Sequence, residues 1–227
     1  MTGPLRLVIF DVDGTLIDSQ AHILAAMAAA FEGEGMLPPT REETLAIVGL
    51  SLPIGVARLA PEADDLLQGR LVEGYKDAFA RLRVENGAGL SPLYPGARAA
   101  LDWLAGQDEV LLGIATGKSR RGMNHLIEMH GLSRLFQTVQ VADDHPSKPH
   151  PSMIEACLRE TGVDAEHAVI LGDTVFDMEM GRSAGIPTLG VTWGYHPAEH
   201  LAEAGARVVL SDFADLAPTL QAMWGEQ

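Results

Sequence analysis

Short apolar runs alternate with stretches of helical periodicity along most of the chain. Residues 5–10, 110–115 and 168–171 are such runs, and each is followed by a polar residue or a glycine. Runs of this length with such boundaries are typical of buried strands. Weaker strand patterns occur at residues 138–141, 188–191 and 207–210.

Amphipathic helices are predicted between these strands. Ser119 is a suitable cap for a helix that carries Met123 and stops at Gly131. Two more helices are predicted from apolar spacing, one from Pro151 to Gly162 and one across residues 213–224. Strands that alternate with helices form a parallel sheet covered on both faces. The predicted fold class is therefore α/β, with a Rossmann-like parallel sheet as its core.

Residues 19–91 do not follow this alternation. They show helical periodicity without a convincing strand, and Ile23, Met27 and Phe31 share one helix face. Prolines interrupt the stretch, which favours several helices over one. A helical insert directly after the first strand predicts a second, smaller unit that acts as a cap.

The predicted domain boundaries follow from this insert. We expect an α/β core domain formed by residues 1–18 and 92–227 and a small helical cap domain over residues 19–91. The hinges are expected near 16–19 and near 90–96, where prolines and a glycine break regular structure.

Composition limits the classes of function. The chain has 31 acidic and 16 basic residues and a formal net charge of -15. Such a surface repels phosphate backbones, which argues against nucleic acid as a partner. The single Cys157 cannot pair within the chain, and the first residues lack the layout of a signal peptide. No apolar run approaches the roughly 18 residues that span a bilayer, so we expect a cytoplasmic monomer or homodimer without a membrane partner.

The strongest chemical feature is Asp11-Val12-Asp13-Gly14-Thr15, immediately after the first apolar run. Two carboxylates at alternate positions leave a strand on the same side. Gly14 lets the chain turn without a side chain that would obstruct a ligand. Ligands of open α/β sheets bind at the carboxyl ends of the strands, so this segment is a candidate catalytic site.

Three further polar features follow the strand patterns. Thr116-Gly117-Lys118 places a hydroxyl and backbone N–H groups at a strand-to-helix turn, which suits an anion. Lys148 lies just before Pro149 and offers a point charge to a phosphate oxygen. Asp173 and Asp177 are four residues apart, so a helix start would bring both carboxylates to one side, where hard oxygens suit magnesium. Taken singly, these features are also explained by helix capping, a surface lysine or the helix dipole.

The order acid pair, threonine, lysine, acid pair resembles the four motifs of the haloacid dehalogenase superfamily. The resemblance covers the whole chain, including the helical insert, where one subclass of that superfamily carries its cap. Three segments look most like phosphoglycolate-phosphatase-type members, namely residues 13–19, residues 148–151 and residues 190–196. The third motif departs from the commoner His-Lys-Pro-Asp-Pro form, with Ser147 and His150 in the variable places.

This resemblance implies a phosphomonoester hydrolase that acts on a small phosphorylated metabolite, with 2-phosphoglycolate as a candidate. It implies that Asp11 attacks phosphorus to form an aspartyl phosphate, and that Asp13 protonates the leaving oxygen and then activates water. Thr116, Gly117 and Lys148 would bind the phosphoryl oxygens.

The resemblance also implies Mg²⁺ as the cofactor. Asp11, Asp173 and the backbone carbonyl of Asp13 would hold the ion, and Asp177 would complete its shell or orient Lys148. The implied metal site is therefore made entirely of oxygen ligands.

Substrate recognition is expected at a turn in the insert, Gly49-Leu50-Ser51, because similar loops in relatives face the active site. Gly49 and Ser51 are expected to contact the leaving group, with Arg58 behind them. A plain helix-to-helix turn is the alternative. Other basic residues of the insert that suit an anionic group of the substrate are Arg41, Arg70, Lys76, Arg81 and Arg83.

Alternative functions stay open at this point. A sugar-phosphate mutase of the same superfamily uses the same acid pair and differs mainly in its cap contacts. A non-catalytic phosphate-binding relative or a receiver-type regulatory protein also fits Asp, Thr and Lys on an α/β sheet, although a receiver is much shorter. Asp13 argues against a dehalogenase, and the late position of Lys76 argues against a phosphonate-cleaving enzyme.

Overall fold

The α/β class and the parallel sheet are confirmed by a computed structural model that describes residues 3–86, 89 and 91–225. The sheet has the order β3-β2-β1-β4-β5-β6, and every neighbouring pair of strands is parallel. The strands are β1 (Arg6–Phe10), β2 (Val110–Thr116), β3 (Thr138–Val141), β4 (Ala168–Gly172), β5 (Thr188–Val191) and β6 (Val208–Leu210). The sixth strand begins one residue later than its pattern predicts.

Both faces of the sheet are covered, because successive side chains of a strand point to opposite sides. Val8 and Phe10 of β1 pack into one apolar cluster, and Leu7 and Ile9 pack into another. Helices α5 (Ala97–Ala105), α6 (Arg120–Met129) and α10 (Leu216–Gly225) supply apolar side chains to the first cluster. Helices α7 (Ser152–Thr161) and α8 (Val175–Ser183) supply them to the second. A short helix, α9 (Ala198–Glu203), precedes β6.

Local sequence signals account for several helix ends. The Ser119 hydroxyl accepts a hydrogen bond from the Gly122 N–H and caps α6, as predicted. Gly162 follows α7 in the left-handed conformation that glycine adopts readily. The closing helix starts at Leu216 instead of Phe213, because Asp212 accepts from the Ala214 N–H and holds a separate 3₁₀ turn ahead of it.

The sheet order places the candidate chemistry at one edge. Strand β1 lies between β2 and β4, which is a point where the strand order reverses direction. The Phe10 position pairs with Ile114 on one side and with Leu171 on the other, so the carboxyl ends of the three strands are nearly level. Crevices at such a reversal are where open α/β sheets bind ligands. The prediction that the strands before Asp11 and Asp173 are neighbours is confirmed.

The described residues of the insert form four α-helices with an apolar cluster of their own. They are α1 (Gln20–Gly33), α2 (Arg41–Ala46), α3 (Leu52–Leu59) and α4 (Asp65–Asn86). Met27, Phe31, Val56 and Leu71 are buried together in that cluster. A capping box at Thr40 fixes the start of α2, since Thr40 and Glu43 satisfy each other's backbone N–H groups.

The two connections between insert and core run side by side. The Asp18 N–H donates to the Pro92 carbonyl at 2.9 Å, and the Tyr94 N–H donates to the Leu16 carbonyl at 2.9 Å. These segments overlap the predicted hinges, of which Leu90 lies outside the described residues. The division into two domains that move relative to each other stays a prediction.

Within the described part of the chain, no helix is long and apolar enough to cross a membrane.

Candidate active site

Three carboxylates converge just beyond the carboxyl ends of β1 and β4. Asp11, Asp173 and Asp177 each place a carboxylate oxygen within 4.8 Å of the others. All three side chains are buried, with exposures of 1%, 0% and 0%. Buried carboxylates at this spacing repel one another unless cations compensate them.

The backbone explains why these residues meet. Asp11 directly follows β1, and its N–H donates to the Leu171 carbonyl of β4 at 2.9 Å. Asp173 follows β4, and α8 begins two residues later. Thr174 and Asp177 form a capping box at the start of α8, in which Asp177 Oδ2 accepts from the Thr174 hydroxyl at 2.7 Å. The first turn of α8 therefore returns Asp177 to the side of Asp173, as the spacing predicts.

Lys148 is the cation at the centre of this cluster. Its Nζ lies 2.8 Å from Asp11 Oδ1 and 2.6 Å from Asp177 Oδ1. The lysine side chain has an exposure of 0%, so both ion pairs lie in a medium of low dielectric. These two carboxylates raise the pKa of Lys148 above its ordinary value against the opposing effect of burial, and the side chain stays charged.

Lys148 nevertheless neutralises only part of the negative charge of the three carboxylates. Three acidic groups face one ammonium group, and Asp11 Oδ2 is buried without a hydrogen-bond donor among the described residues. Burial raises the pKa of Asp11 to about 7, although Lys148 acts in the opposite direction. Burial and the neighbouring Asp11 also raise the pKa of Asp173 well above its usual range.

This donor set fits a divalent cation. The unpartnered Asp11 Oδ2 and the clustered carboxylate oxygens are hard ligands of the kind that Mg²⁺ prefers. A bound cation would also neutralise the excess negative charge that raises these pKa values. The residues present therefore suit the metal site that the sequence predicts.

Asp173 is held from two sides by groups to which sequence reasoning gave no role. Its Oδ1 accepts from the Thr15 hydroxyl at 2.9 Å, and its Oδ2 accepts from the Tyr195 N–H at 2.9 Å. Gly14 and Gly194 pass so close that a Cβ on either would overlap the Asp173 carboxylate. Thr15 lies in the first motif and could have been found there, whereas Tyr195 depends on a distant loop.

Asp13 lies apart from the buried cluster and faces the insert. Its Oδ1 accepts from the Ser19 hydroxyl at 2.6 Å, and its Oδ2 lies 3.0 Å from Lys118 Nζ. The Tyr195 hydroxyl lies 3.2 Å from the Ser19 hydroxyl. Sequence reasoning placed Lys118 in a motif but gave it no role, and its pairing with Asp13 is a finding of the structure.

The predicted anion turn and the predicted insert turn are in contact. Thr116 is buried, and its hydroxyl accepts from the Lys118 N–H at 3.2 Å. A Cβ at Gly117 would lie 2.6 Å from the Gly49 carbonyl oxygen, so only glycine lets the two backbones approach this closely. A hydrogen bond also joins the insert to the core next to this contact, since the Ser51 N–H donates to the Ser147 hydroxyl at 2.9 Å.

The remaining basic candidates lie in other surroundings. The Arg58 guanidinium is 5.4 Å from the Phe176 ring centroid, and Phe176 also contacts the Gly49 position.

Three other basic residues of the insert have partners elsewhere. Arg41 donates to Gln20, Arg70 pairs with Glu34, and Lys76 pairs with Glu73. The side chains of the latter two ion pairs are between 25% and 68% exposed, so both pairs belong to the protein surface.

Comparison with known proteins places this geometry in a family. A sequence profile of the haloacid dehalogenase-like hydrolases matches residues 8–191. The protein named "Probable phosphatase IndB" of Dickeya dadantii is 33% identical over 220 residues, covering 96% of this chain and 94% of the relative. A phosphoglycolate phosphatase of Agrobacterium fabrum is 30% identical over 223 residues, covering 94% of this chain and 91% of the relative.

A solved structure agrees with this result. The crystal structure of a hydrolase from Pseudomonas syringae has a TM-score of 0.83 and 26% sequence identity, and the match covers 96% of this chain and 98% of that chain. These findings are not compatible with the receiver-type alternative. The chain belongs to the haloacid dehalogenase-like hydrolases, as a phosphatase similar to the phosphoglycolate phosphatases.

Proposed function

We propose that this protein is a magnesium-dependent phosphomonoesterase that transfers a phosphoryl group first to Asp11 and then to water. The observation that carries the proposal is the state of Asp11. Its carboxylate is buried beside Lys148 Nζ at 2.8 Å, and its Oδ2 has no donor among the described residues. An oxygen with free lone pairs at the carboxyl end of a strand is suited to attack an incoming phosphorus atom.

In the first displacement, an Asp11 oxygen forms a bond to phosphorus and the bond from phosphorus to the ester oxygen breaks. The leaving oxygen takes a proton from Asp13, which faces the insert and not the buried cluster. In the second displacement, a water oxygen attacks phosphorus while Asp13 accepts the proton. Inorganic phosphate leaves, and the Asp11 carboxylate is restored. Splitting the reaction in this way replaces one difficult step with two easier ones.

Charge on the phosphoryl oxygens is the main quantity to be stabilised in such a transfer. Lys148 supplies a fixed positive charge, and the Thr116 hydroxyl with the Gly117 N–H supplies hydrogen-bond donors. Asp11, Asp173, Asp177 and the backbone carbonyl of Asp13 would hold Mg²⁺, which supplies further positive charge when bound. Asp177 also orients Lys148 through their 2.6 Å contact.

Residues 19–91 act in this proposal as a cap that selects the leaving group. Gly49 and Ser51 lie where the insert meets the core, next to Gly117 and Ser147. Arg58 lies behind them on the Phe176 ring. The substrate is a small phosphorylated metabolite, and the similarity to phosphoglycolate phosphatases favours 2-phosphoglycolate.

The test is a panel of phosphate esters with Mg²⁺, including 2-phosphoglycolate, hexose phosphates, nucleotides and pyrophosphate. We expect phosphate release with the highest kcat/KM for 2-phosphoglycolate. Net isomerisation of a hexose phosphate without phosphate release would instead indicate a mutase.

The covalent intermediate has a separate test in the stereochemistry at phosphorus. Two successive in-line displacements retain the configuration of a chiral, isotope-labelled phosphate ester, whereas one direct attack by water inverts it. We expect retention, and inversion would exclude Asp11 as the nucleophile.

A further inference from the structure

Lys118 is a nearly buried cation beside the group that we propose as the general acid. Its Nζ lies 3.0 Å from Asp13 Oδ2, and the two side chains have exposures of 11% and 13%. The same ammonium group lies 5.0 Å from the ring centroid of Phe79, in helix α4 of the insert. Lys118 therefore lies between core and insert, in contact with Asp13 on one side and with Phe79 on the other.

The position of Lys118 is fixed by its own backbone and stem. Its N–H donates to the Thr116 hydroxyl at 3.2 Å, and its carbonyl accepts from the Ala142 N–H at 3.2 Å. The stem passes Gly122 so closely that a Cβ there would lie 3.0 Å from Lys118 Cγ. With the backbone and stem held in this way, the ammonium group is directed at a defined point.

Both oxygens of Asp13 are already engaged, Oδ1 by the Ser19 hydroxyl and Oδ2 by Lys118. A leaving oxygen that hydrogen-bonds to Asp13 either uses a remaining lone pair of the carboxyl group or displaces one of these partners. If Lys118 is displaced, its ammonium group needs another anion, because an unpaired charge at such low exposure is unfavourable. A substrate that carries its own anion near the ester oxygen supplies that partner.

We propose that Lys118 is a specificity-determining residue that binds a carboxylate of the leaving group. The substrate class is then the phosphate esters of short hydroxy acids, in which the carboxylate is separated from the ester oxygen by a single carbon. This inference rests on the proposed function, since it requires Asp13 to face the leaving oxygen.

Three other described cations are less suited to this role. Lys148 is fully buried and already holds two carboxylates of the acidic cluster. Arg70 pairs with the partly buried Glu34, and Lys76 pairs with the exposed Glu73. Lys118 is set apart from them by its position next to Asp13 and beneath an aromatic ring of the insert.

The experiment compares two substrates of nearly the same size, 2-phosphoglycolate and 2-hydroxyethyl phosphate, which carries a neutral hydroxymethyl group in place of the carboxylate. Lys118→Met should lower kcat/KM for 2-phosphoglycolate by about 10- to 100-fold more than for 2-hydroxyethyl phosphate, as expected for one charged hydrogen bond. Any general effect of the substitution on Asp13 acts on both substrates and cancels in this ratio.

Two variants serve as controls. Lys118→Arg keeps the charge and should restore part of the preference for 2-phosphoglycolate. Arg98→Met removes one positive charge from an exposed pair with Asp102 and should leave the ratio unchanged. Inhibition by glycolate should weaken in Lys118→Met, which provides a readout that does not depend on catalysis of the carboxylate substrate.

Equal losses for both substrates in Lys118→Met would overturn the role of Lys118 and leave the proposed phosphatase intact. A wild-type protein that releases phosphate from neither ester nor from any other member of the panel would overturn the proposed function and this inference together.

Discussion

The buried acidic cluster and the Asp13–Lys118 pair lie close together but differ in construction. Asp11, Asp173 and Asp177 are at most 1% exposed and are held by elements of the core. Asp13 and Lys118 are 13% and 11% exposed and meet the insert through Ser19 and Phe79. In the function that we propose, phosphoryl transfer is therefore assigned to the core, and the choice of leaving group is assigned to the contact between core and insert.

The strongest way to break this comparison is to remove Asp11, the proposed nucleophile. Asp11→Asn should reduce turnover by more than about 10⁴-fold for every substrate, because an amide is a far poorer nucleophile than a carboxylate. Steady-state kinetics on 2-phosphoglycolate and on a small activated ester would measure this loss. Retention of a tenth of wild-type turnover would assign the nucleophile to another residue.

The melting temperature of the Asp11→Asn variant shows whether the loss of turnover comes from unfolding. The folded-state pKa of Asp11 is raised to about 7 from an ordinary value of 3.8, so its ionisation destabilises the metal-free fold. This destabilisation is complete above the folded pKa and disappears as the pH falls below the ordinary value. Metal-free Asp11→Asn should therefore melt at a higher temperature than the wild type at pH 8, and the difference should shrink at pH 5.

Removal of divalent metal tests the acidic cluster as a whole. Exhaustive EDTA treatment should reduce activity to background, and Mg²⁺ should restore it. Ca²⁺ should inhibit, because it prefers more ligands at longer distances and would shift Asp11 from its line of attack. Mg²⁺ should also raise the melting temperature of the wild type, since a ligand that binds only the folded state stabilises it. Full activity after EDTA treatment would remove the metal from the mechanism.

Asp13→Asn probes the insert-facing pair. We expect turnover to fall by roughly two to four orders of magnitude through loss of the proton donor. The loss should be smaller for an ester with an acidic leaving group, such as p-nitrophenyl phosphate, because that oxygen leaves without protonation. Losses of equal size for both kinds of ester would place Asp13 outside general acid catalysis.

The smallest expected effect is at the contact between insert and core. Ser147→Ala removes the acceptor of the Ser51 N–H and should loosen the turn at residues 49–51. We expect kcat/KM for 2-phosphoglycolate to fall by about 3- to 10-fold, as for one neutral hydrogen bond, with little change for a small activated ester. Ser211→Ala, at an exposed serine paired with Asp215, is the matched control. Equal changes on both substrates would remove the turn from the recognition surface.

The sheet and the acidic cluster could both be predicted from the sequence, and for the same physical reason. Apolar runs identify buried strands, and parallel strands bring their carboxyl ends to one edge, so residues that follow different runs can be placed together. The spacing of Asp173 and Asp177 then needed only a helix start, which the capping box at Thr174 supplies.

The partners of these carboxylates could not be reached in the same way. Tyr195 approaches Asp173 through a backbone N–H, which carries no sequence signal, and the loop that presents it lies 22 residues further along the chain. The basic residues of the insert were natural candidates for an anionic substrate. The pairing of Lys118 with Asp13 depends on the relative position of the turns after β1 and β2, which no local sequence pattern gives.

The two glycines beside Asp173 limit which amino-acid substitutions this site can tolerate. Gly14 and Gly194 have no functional group, yet a single methyl group on either would occupy the space of the Asp173 carboxylate. In a genetic screen of single substitutions, alanine at either position should impair function as severely as replacement of Asp173 itself. Glycines with open space around them, such as Gly33 and Gly69, should accept the same replacement. At Gly14 and Gly194, the tolerated substitutions would therefore be determined by the space that the Asp173 side chain occupies.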